Sequence, residues 1–537
     1  MAYNGFSRLL LASAAMLLFA QPVARAQREK FGDVDFPISC SEGAQTQFNR
    51  AVAMLHSFFF PETVKAFAAI TEAEPSCAIA YWGLAISQRP NPLVAPFPAD
   101  FLMKGWEAIE KGRAAGAKTE RERDWIEALA VFFKDFDKID QRIRTLNYEA
   151  AMARLHARYP DDAEAAIFHA LALNEAADLA DKTYARQLKA AAILEELEPR
   201  LPNHPGIPHY IIHSYDYAPL AERGVFAAAR CAQLAPSAPH ALHMPAHIFS
   251  LVGMWQESIA ANLTSVASGK AYAAKNNLDG EFFHNLHDYD FMQYAYLQLG
   301  QDSKARALME EVGAIKKVFS PRLVTDTAIA AIPARYMLER QDWRGAAGLQ
   351  ISPLISASPA KAITHFARAL GAARSGDLAA AQADIGKLSE IKQELEKAKQ
   401  PYWAGQVEVQ ILAAQAWLAE GEGNHAAALN SMRVAADLED ASEKHVAMEN
   451  RLYPMRELLG DLLTGQQQPT LALKDYEASM RTMPNRFRAF AGAAMAADRL
   501  GDRQQARKYY EKLVALAGVT NSERPEVIRA QQFLAGN

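Results

Sequence analysis

The hydrophobic and polar positions of this chain follow a helical period along most of its length. A first pair of helices is predicted over residues 45–56 and 63–70, and a third helix begins at Ala78 after the break at Glu74–Pro75. Helical patterns resume over residues 101–200. Alanine is plentiful, whereas the runs of Val, Ile and Thr that are typical of strands are scarce. The pattern predicts an all-α protein without a sheet.

The last third of the chain contains the clearest internal repeat. Ala472 recurs as Ala506, and Tyr476 recurs as Tyr510 at the same spacing. That spacing, about 34 residues, is the period of the tetratricopeptide repeat, in which small residues let paired helices approach and aromatic residues fill the space between repeats. With 537 residues the chain is too long for one compact core. We therefore expect a tetratricopeptide-repeat superhelical solenoid.

The N-terminus has the pattern of a secretory signal peptide over residues 1–26. Arg8 supplies the positive charge, Leu9–Ala20 is an apolar core, and Ala24–Ala26 fits an A-x-A cleavage site. The mature chain is then expected to begin at Gln27. The apolar run is too short for a membrane anchor, and no later stretch has the length to span a membrane. An exported protein, periplasmic or secreted, is expected.

The mature chain is divided here into three regions by their patterns. Residues 27–200 form an N-terminal helical region similar to tetratricopeptide repeats, residues 201–312 hold the histidine-rich central repeats, and residues 313–537 hold the C-terminal repeats. A loop at 89–98 carries four prolines, so that it cannot be helix or central strand. Because it also carries apolar side chains, we expect it to pack back onto the solenoid and cover one end of the groove.

Two H-x-x-x-H pairs dominate the central region. His209 and His213 form the first pair, and His243 and His247 form the second. Residues i and i+4 lie on one face of a helix, so that each pair can direct two imidazoles at one point. The pairs are separated by one repeat period, which places them at equivalent positions of neighbouring stacked helices. Eight of the fourteen histidines lie between residues 204 and 287.

Aligned repeats place further side chains beside these pairs. With Pro205 and Pro239 as first residues, each pair takes positions 5 and 9, and an insertion at 264–284 separates the third unit. Positions 2, 5 and 9 of the first helix line the concave groove in tetratricopeptide solenoids. The predicted metal ligands are His209, His213, His240, His243, His247 and His287. The side chains predicted to hold these ligands or to contact a groove ligand are Asp216, Asp290, Tyr217, Tyr294, His204 and His284.

A divalent transition metal is the cofactor that this histidine set favours. Imidazole suits zinc, copper, iron and nickel, and the order of affinities favours copper, so copper and zinc are the leading candidates. Only neutral imidazole binds metal, so binding should weaken in acid. A groove for an anionic or aromatic ligand, or purely structural hydrogen bonds, are the alternatives.

Three functions remain open at this point. The first is an exported metal-binding protein whose groove also holds a peptide, protein or small-molecule ligand. The second is a metal-dependent enzyme, oxidative with copper or iron and hydrolytic with zinc, with Asp216, Asp290 or Glu281 as base. The third is a metal-free scaffold for protein assembly. The net charge of -5 gives no reason to expect a nucleic-acid partner.

The three cysteines allow one disulfide. Cys40 and Cys77 each precede a predicted repeat, so the starts of two stacked helices can bring them together in an oxidising compartment. The alternative is a pair of buried free thiols. Cys231 has no evident partner. The sequence contains no C-x-x-C pair, no glycine-rich phosphate loop and no G-x-S-x-G elbow.

Four segments together resemble a family of exported bacterial tetratricopeptide-repeat proteins. These segments are 48–58, 75–85, 204–217 and 235–249, and the most specific are the central motifs HPGxxHYxIH and HALHMPxHIF. The resemblance covers nearly all of the mature chain. It implies the solenoid fold and export, and it implies no reaction, since the family is named for its repeats.

Overall fold

The computed structural model describes residue 1 and residues 29–89, 91–449, 451–518, 522 and 524–536. The predicted signal peptide, apart from Met1, and the predicted start at Gln27 lie outside the described residues. Regular structure in the described part of the chain is almost entirely α-helical, and successive helices pack against each other. The predicted all-α tetratricopeptide-repeat solenoid is confirmed.

The helices follow one another in three groups. The N-terminal helices are α1 (Glu42–His56), α2 (Phe60–Ala73), α3 (Ala78–Ile86), α4 (Ala99–Ala115), α5 (Glu120–Phe133), α6 (Gln141–Arg158), α7 (Ala163–Glu175) and α8 (Ala185–Leu197). The central helices are α9 (Gly206–Tyr215), α10 (Val225–Leu234), α11 (Pro239–His243), α12 (Pro245–Leu251), α13 (Trp255–Lys275), α14 (Phe283–Gln298) and α15 (Asp302–Ala314), with a 3-10 turn at Ala221–Gly224. The C-terminal helices are α16 (Leu323–Glu339), α17 (Trp343–Ala347), α18 (Ser358–Ser375), α19 (Leu378–Lys397), α20 (Pro401–Gly421), α21 (His425–Asp440), α22 (Met455–Gly465), α23 (Pro469–Thr482), α24 (Phe487–Arg499), α25 (Arg503–Ala517) and α26 (Pro525–Ala535).

Local chemistry explains where several helices begin. Asp162 caps α7, because its side chain accepts a hydrogen bond from the backbone N–H of Ala165 directly after the turn at Tyr159–Pro160. Asp377 and Asp502 cap α19 and α25 in the same way. These turns separate consecutive helices.

Small residues let the C-terminal helices approach, as the repeat pattern predicts. The ring of Tyr476 on α23 fills the space beside Gly460 and Gly492. A Cβ atom at these two glycines would come within 2.8 and 2.2 Å of the ring. Any larger side chain would therefore push α22 or α24 away from α23.

A two-residue parallel strand pair corrects the expectation that no sheet is present. Strand β1 (Glu281–Phe282) pairs with β2 (Val318–Phe319). The pairing ties the start of α14 to the segment before α16, because each strand lies next to one of these helices. The residues at the start of α14 and the residues 320–322 before α16 line the cavity described below.

The proline-rich loop packs onto the protein as predicted. Phe97 is buried, and its ring centroid lies 5.9 Å from that of Phe132. The backbone N–H of Phe97 donates to the side chain of Gln141 at 2.9 Å. At the start of the loop, Arg89 forms a buried ion pair with Glu175 at 2.8 Å.

Cys40 and Cys77 are joined in a disulfide with Cα atoms 5.5 Å apart, which is one of the two alternatives that the sequence leaves open. The bond connects the segment before α1 to the start of α3. Cys231 is a free and buried thiol on α10. No helix among the described residues combines the length and apolar character needed to cross a membrane.

Buried apolar side chains form two clusters that meet near the centre of the chain. One cluster runs from Phe31 to Ile248 and the other from Trp255 to Ala530. The helices α9, α11 and α12 pack with the first cluster and α14 packs with the second. The histidine-rich region thus lies at the boundary between the two cores.

Candidate metal centre

Three imidazoles converge between α9 and α11. The Nε2 atoms of His209 and His213 are 3.1 Å apart, and Nε2 of His240 is 3.2 Å from Nε2 of His209. One ring nitrogen of each histidine lies within 4.8 Å of the others. We call His209, His213 and His240 the first trio.

A second group has the same composition. His243 ends α11, His247 lies on α12, and His287 lies one turn into α14. One nitrogen of each again lies within 4.8 Å of the others, and all three side chains are buried. Pro245 lacks the N–H that would continue the helix, so α11 and α12 are separate segments at this point. We call His243, His247 and His287 the second trio.

The two trios are related by one step of the repeat. In each trio an i, i+4 pair from positions 5 and 9 of one unit is completed by position 2 of the next unit, which is His240 in the first trio and His287 in the second. The spacing of the two pairs predicts that all four imidazoles converge on one point; the structure instead divides them between two separate groups. Neighbours at i and i+4 on one helix are close, whereas packed helices are about 8–10 Å apart, so one side chain of the next helix reaches each pair.

Acceptors behind the rings hold the Nδ1 protons of three histidines. His209 donates from Nδ1 to the carbonyl oxygen of His56 at 2.5 Å, and His247 donates from Nδ1 to Asp216 at 2.9 Å. His243 donates from Nδ1 to the side-chain oxygen of Asn262 at 2.6 Å. In each ring this leaves the Nε2 lone pair free, which is the tautomer that metal-binding histidines need.

Burial favours the neutral form of most of these imidazoles. It lowers the pKa of His209 to about 3, and it lowers the pKa values of His213, His240, His247 and His287 well below their usual range. Repulsion from neighbouring histidines acts in the same direction. Neutral imidazole is the form that binds metal.

A buried carboxylate lies beside the second trio. An oxygen of Asp288 is 3.0 Å from Nδ1 of His243 and 3.4 Å from Nε2 of His284, and no described lysine or arginine lies within 4.0 Å of it. Asp216, which holds His247, is paired with Lys444 at 3.0 Å. The second trio therefore has more negative charge behind it than the first, whose His209 faces a backbone carbonyl.

His284 lies between the two trios. Its ring centroid is 5.2 Å from that of His240 and 5.4 Å from that of His243. Burial lowers its pKa to about 4. The sequence places His284 among the surrounding side chains, and the structure brings it into contact with both groups.

Asp290 and Tyr294 contact other residues rather than the trios, in contrast to the expectation. The carboxylate of Asp290 accepts a hydrogen bond from the guanidinium of Arg335, and its second oxygen accepts the backbone N–H of Glu449. The hydroxyl of Tyr294 accepts a hydrogen bond from Arg486. Each of the two side chains is therefore bound by an arginine from later in the chain, Arg335 on α16 and Arg486 directly before α24.

His204 and Tyr217 are also held elsewhere. His204 shares the carboxylate of Glu164 with His56, at 2.9 Å from each imidazole, and the other ring nitrogen of His56 contacts Tyr210. Burial alone would raise the pKa of Glu164, but the charges of His204 and His56 outweigh burial and hold it far below its usual range. Because these nitrogens all have partners, the group is a closed structural network.

The ring of Tyr217 packs on Tyr184, with centroids 5.4 Å apart, and it contacts neither trio. The proposed base Glu281 accepts a hydrogen bond from Asn285 at 2.6 Å at the start of α14.

A cavity of about 460 Å³ opens onto the histidines. His213 and His240 of the first trio, His247 and His287 of the second, and His284 line it. The remaining wall is mainly aromatic and aliphatic. Its apolar side chains include Phe58, Phe59, Phe60, Pro96, Phe97, Phe101, Phe282, Phe283, Leu323, Val324, Leu395 and Trp403.

Sequence reasoning missed several groups at this site. Asp288 lies four residues after His284 on α14, so helical spacing is the signal that could have found it. Asn262 and Lys444 come from α13 and from the segment after α21, and no local pattern identifies them.

Comparisons with known proteins give no family. No family model matches the chain, and no curated protein matches it. Among solved structures it is similar to the human IFIT1 dimer with m7Gppp-AAAA, at 11% identity and a TM-score of 0.38, covering 82% of this chain and 90% of that one.

It is also similar to the APC/C hetero-tetramer Cut9-Hcn1, at 11% identity and a TM-score of 0.26, covering 91% and 96% of the two chains. A third match is Naa15/Naa10 bound to HypK-THB, at 12% identity and a TM-score of 0.24, covering 92% and 91%. These similarities are too low to support any statement about ligand or function.

Proposed function

We propose that this chain is an exported repeat protein that binds two divalent transition-metal ions, one at each trio. The observation that carries the proposal is the repetition of one three-histidine arrangement a repeat step along the groove. Two nitrogens bound at about 2.0–2.1 Å to a tetrahedral ion lie about 3.3 Å apart. The separations of 3.1 and 3.2 Å in the first trio are close to that value.

Hydrogen bonding without metal does not account for the first trio. His209 gives its Nδ1 proton to the carbonyl of His56, so its Nε2 has one lone pair and faces two neighbouring Nε2 atoms. One lone pair accepts one good N–H bond, so the third nitrogen would have no hydrogen-bond partner within the trio. Zinc and copper fit a buried set of neutral imidazoles best.

Replacing His213 and His247 together by alanine tests the proposal. Each trio then has only two ligands. After dialysis against zinc or copper we expect the variant to retain neither ion, and elemental mass spectrometry measures the metal content. The helical circular dichroism signal should persist. His425→Ala is the control, because that side chain is 65% exposed and lies on α21. If the double variant keeps its metal, the metal-free scaffold becomes the better interpretation.

A metal-dependent enzyme is the second candidate, and the cavity favours it. Three protein ligands leave a coordination position for water or substrate, whereas a closed four-ligand site would indicate a structural role. Four of the six proposed ligands line the cavity. Turnover that requires zinc or copper, and that the double variant lacks, would support this function.

Export is tested separately. We expect the protein isolated from its native compartment to begin at Gln27, because cleavage should follow Ala26. An intact mass that includes residues 1–26 would contradict this part of the proposal.

A further inference from the structure

One charged side chain in the cavity has no counter-ion. Arg322 precedes α16, and no carboxylate among the described residues lies within 4.0 Å of its guanidinium, which packs over the ring of Phe283 at 4.6 Å. Its Nε is buried without a hydrogen-bond partner. Burial lowers the pKa of Arg322 to about 10, so that it stays charged at neutral pH.

Two fully buried arginines elsewhere in this protein are paired with carboxylates. Arg335 contacts Asp290, and Arg486 contacts Glu339 and Glu457. Arg322 is only part-buried, but a charge that is partly removed from water without a counter-ion still costs free energy that a partner anion would recover. Because Arg322 is the one lysine or arginine among the described cavity-lining residues, a ligand in the cavity can supply that anion.

The walls define the rest of the ligand. A volume of about 460 Å³ holds a small molecule. The mostly apolar lining, which includes several aromatic rings, suits an apolar body, and Glu394 on the same wall disfavours a second negative charge. A planar guanidinium matches one carboxylate through two parallel N–H···O bonds.

We propose that the cavity binds a hydrophobic monocarboxylic acid of small-molecule size, with its carboxylate on Arg322 and its apolar body against the aromatic wall. The inference rests on the proposed function, in that it takes this cavity as the place where a ligand meets the metal ions. Phe283 connects Arg322 to the histidine groups, because its ring lies under the guanidinium and it directly precedes His284.

Calorimetric titration of the full mature protein tests the inference. The probes are 4-phenylbutyrate and the neutral 4-phenylbutyramide, each added to the zinc-loaded and to the zinc-free protein. We expect the acid to bind at least about ten-fold more tightly than the amide, as a charge-assisted pair predicts. Arg322→Gln should remove that preference, Arg322→Lys should keep part of it, and the exposed Arg344→Gln should leave it unchanged.

The outcomes separate this inference from metal binding. Zinc content is measured on every variant, and Arg322→Gln should keep both ions. Equal affinity of acid and amide for the wild-type protein would overturn the inference even if a variant failed to fold. The inference would also be overturned if the acid bound only the zinc-loaded protein and bound Arg322→Gln as tightly as the wild type. The carboxylate would then bind the metal and not Arg322. Tight binding of a peptide ending in phenylalanine, with no binding of the free acid, would also overturn it.

Discussion

The Nε2 atoms of His209 and His213 lie 3.1 Å apart inside the protein, with Nε2 of His240 at 3.2 Å from the first of them. Lone pairs of neutral imidazoles repel each other at that distance unless a proton or a cation lies between them. The second trio repeats the arrangement one unit along the chain. The first two predictions concern these groups.

Single replacements should remove one ion at a time. His240→Ala leaves the first trio with two ligands, and His287→Ala does the same to the second, so each variant should bind about one ion where the wild type binds about two. Equilibrium dialysis with zinc measures the ratio. A variant that loses both ions would show that the trios form one indivisible site.

Asp288→Asn should weaken the second site alone. The change removes a negative charge beside His243 and His284, and loss of such an outer carboxylate lowers metal affinity by about 10–100-fold. A competition titration with a coloured chelator should show one weakened ion and one unchanged ion. Asp137→Asn, at an exposed position, is the control; equal loss at both sites would count against the assignment of Asp288.

The metal-free protein should lose stability in acid. Burial lowers the pKa of His209 to about 3 and of His284 and His445 to about 4, below the usual 6.5 that the unfolded chain retains. The unfolded chain therefore binds more protons, so the stability is fully present above about pH 6.5 and is lost as the pH falls towards 4. Each such histidine contributes about 1.4 kcal/mol per pH unit in that window.

Urea unfolding at pH 7.5 and pH 5 measures this loss. His445→Gln should show a smaller drop in midpoint than the wild type, because His445 packs on Trp403, is not a proposed ligand, and its removal deletes one titrating group. An unchanged or higher midpoint at pH 5 would contradict the prediction.

Gly492→Ala should destabilise the C-terminal repeats by about 1–3 kcal/mol, the usual cost of overpacking. The new methyl group would lie 2.2 Å from the ring of Tyr476. Gly465→Ala on α22 is the matched control, because its Cβ would meet no atom within 4 Å and alanine favours helix. Thermal unfolding compares the two, and similar melting temperatures would disprove the packing argument.

Thiol labelling should proceed in three stages. No thiol should react with iodoacetamide in the native protein, because Cys40 and Cys77 are bonded and burial raises the pKa of Cys231 to about 12. Unfolding without reductant should expose Cys231 alone, and reduction should then expose the other two. Mass spectrometry counts the labels, and labelling of Cys40 before reduction would exclude the disulfide.

The repeat architecture and the six candidate ligands could be predicted because they follow from local spacing. An i, i+4 pair fixes two rings on one face, and a recurrence at the repeat period places His209 and His243 at equivalent positions. The packing of Tyr476 between repeats was predictable on the same grounds. Helical period therefore predicted the part of the site that each helix determines by itself.

The remaining side chains of the site come from distant segments. Lys444 contacts Asp216 at a sequence separation of 228 residues. Arg335 donates a hydrogen bond to Asp290 at a separation of 45 residues. Nothing near Asp290 in the sequence indicates an arginine on a later helix. The division into two trios also depends on how far neighbouring helices stand apart, which a one-dimensional pattern does not contain.

The contact between Lys444 and Asp216 bears on the order in which the segments around the histidines are synthesised and fold. All six candidate ligands lie at or before His287, whereas the segment 442–449, which holds Lys444, comes much later in the chain. Lys182 also reaches this segment, with its ammonium 2.6 Å from Glu443. A growing chain thus presents its imidazoles long before it can close over them, so the proposed function allows metal to bind before the last folding step.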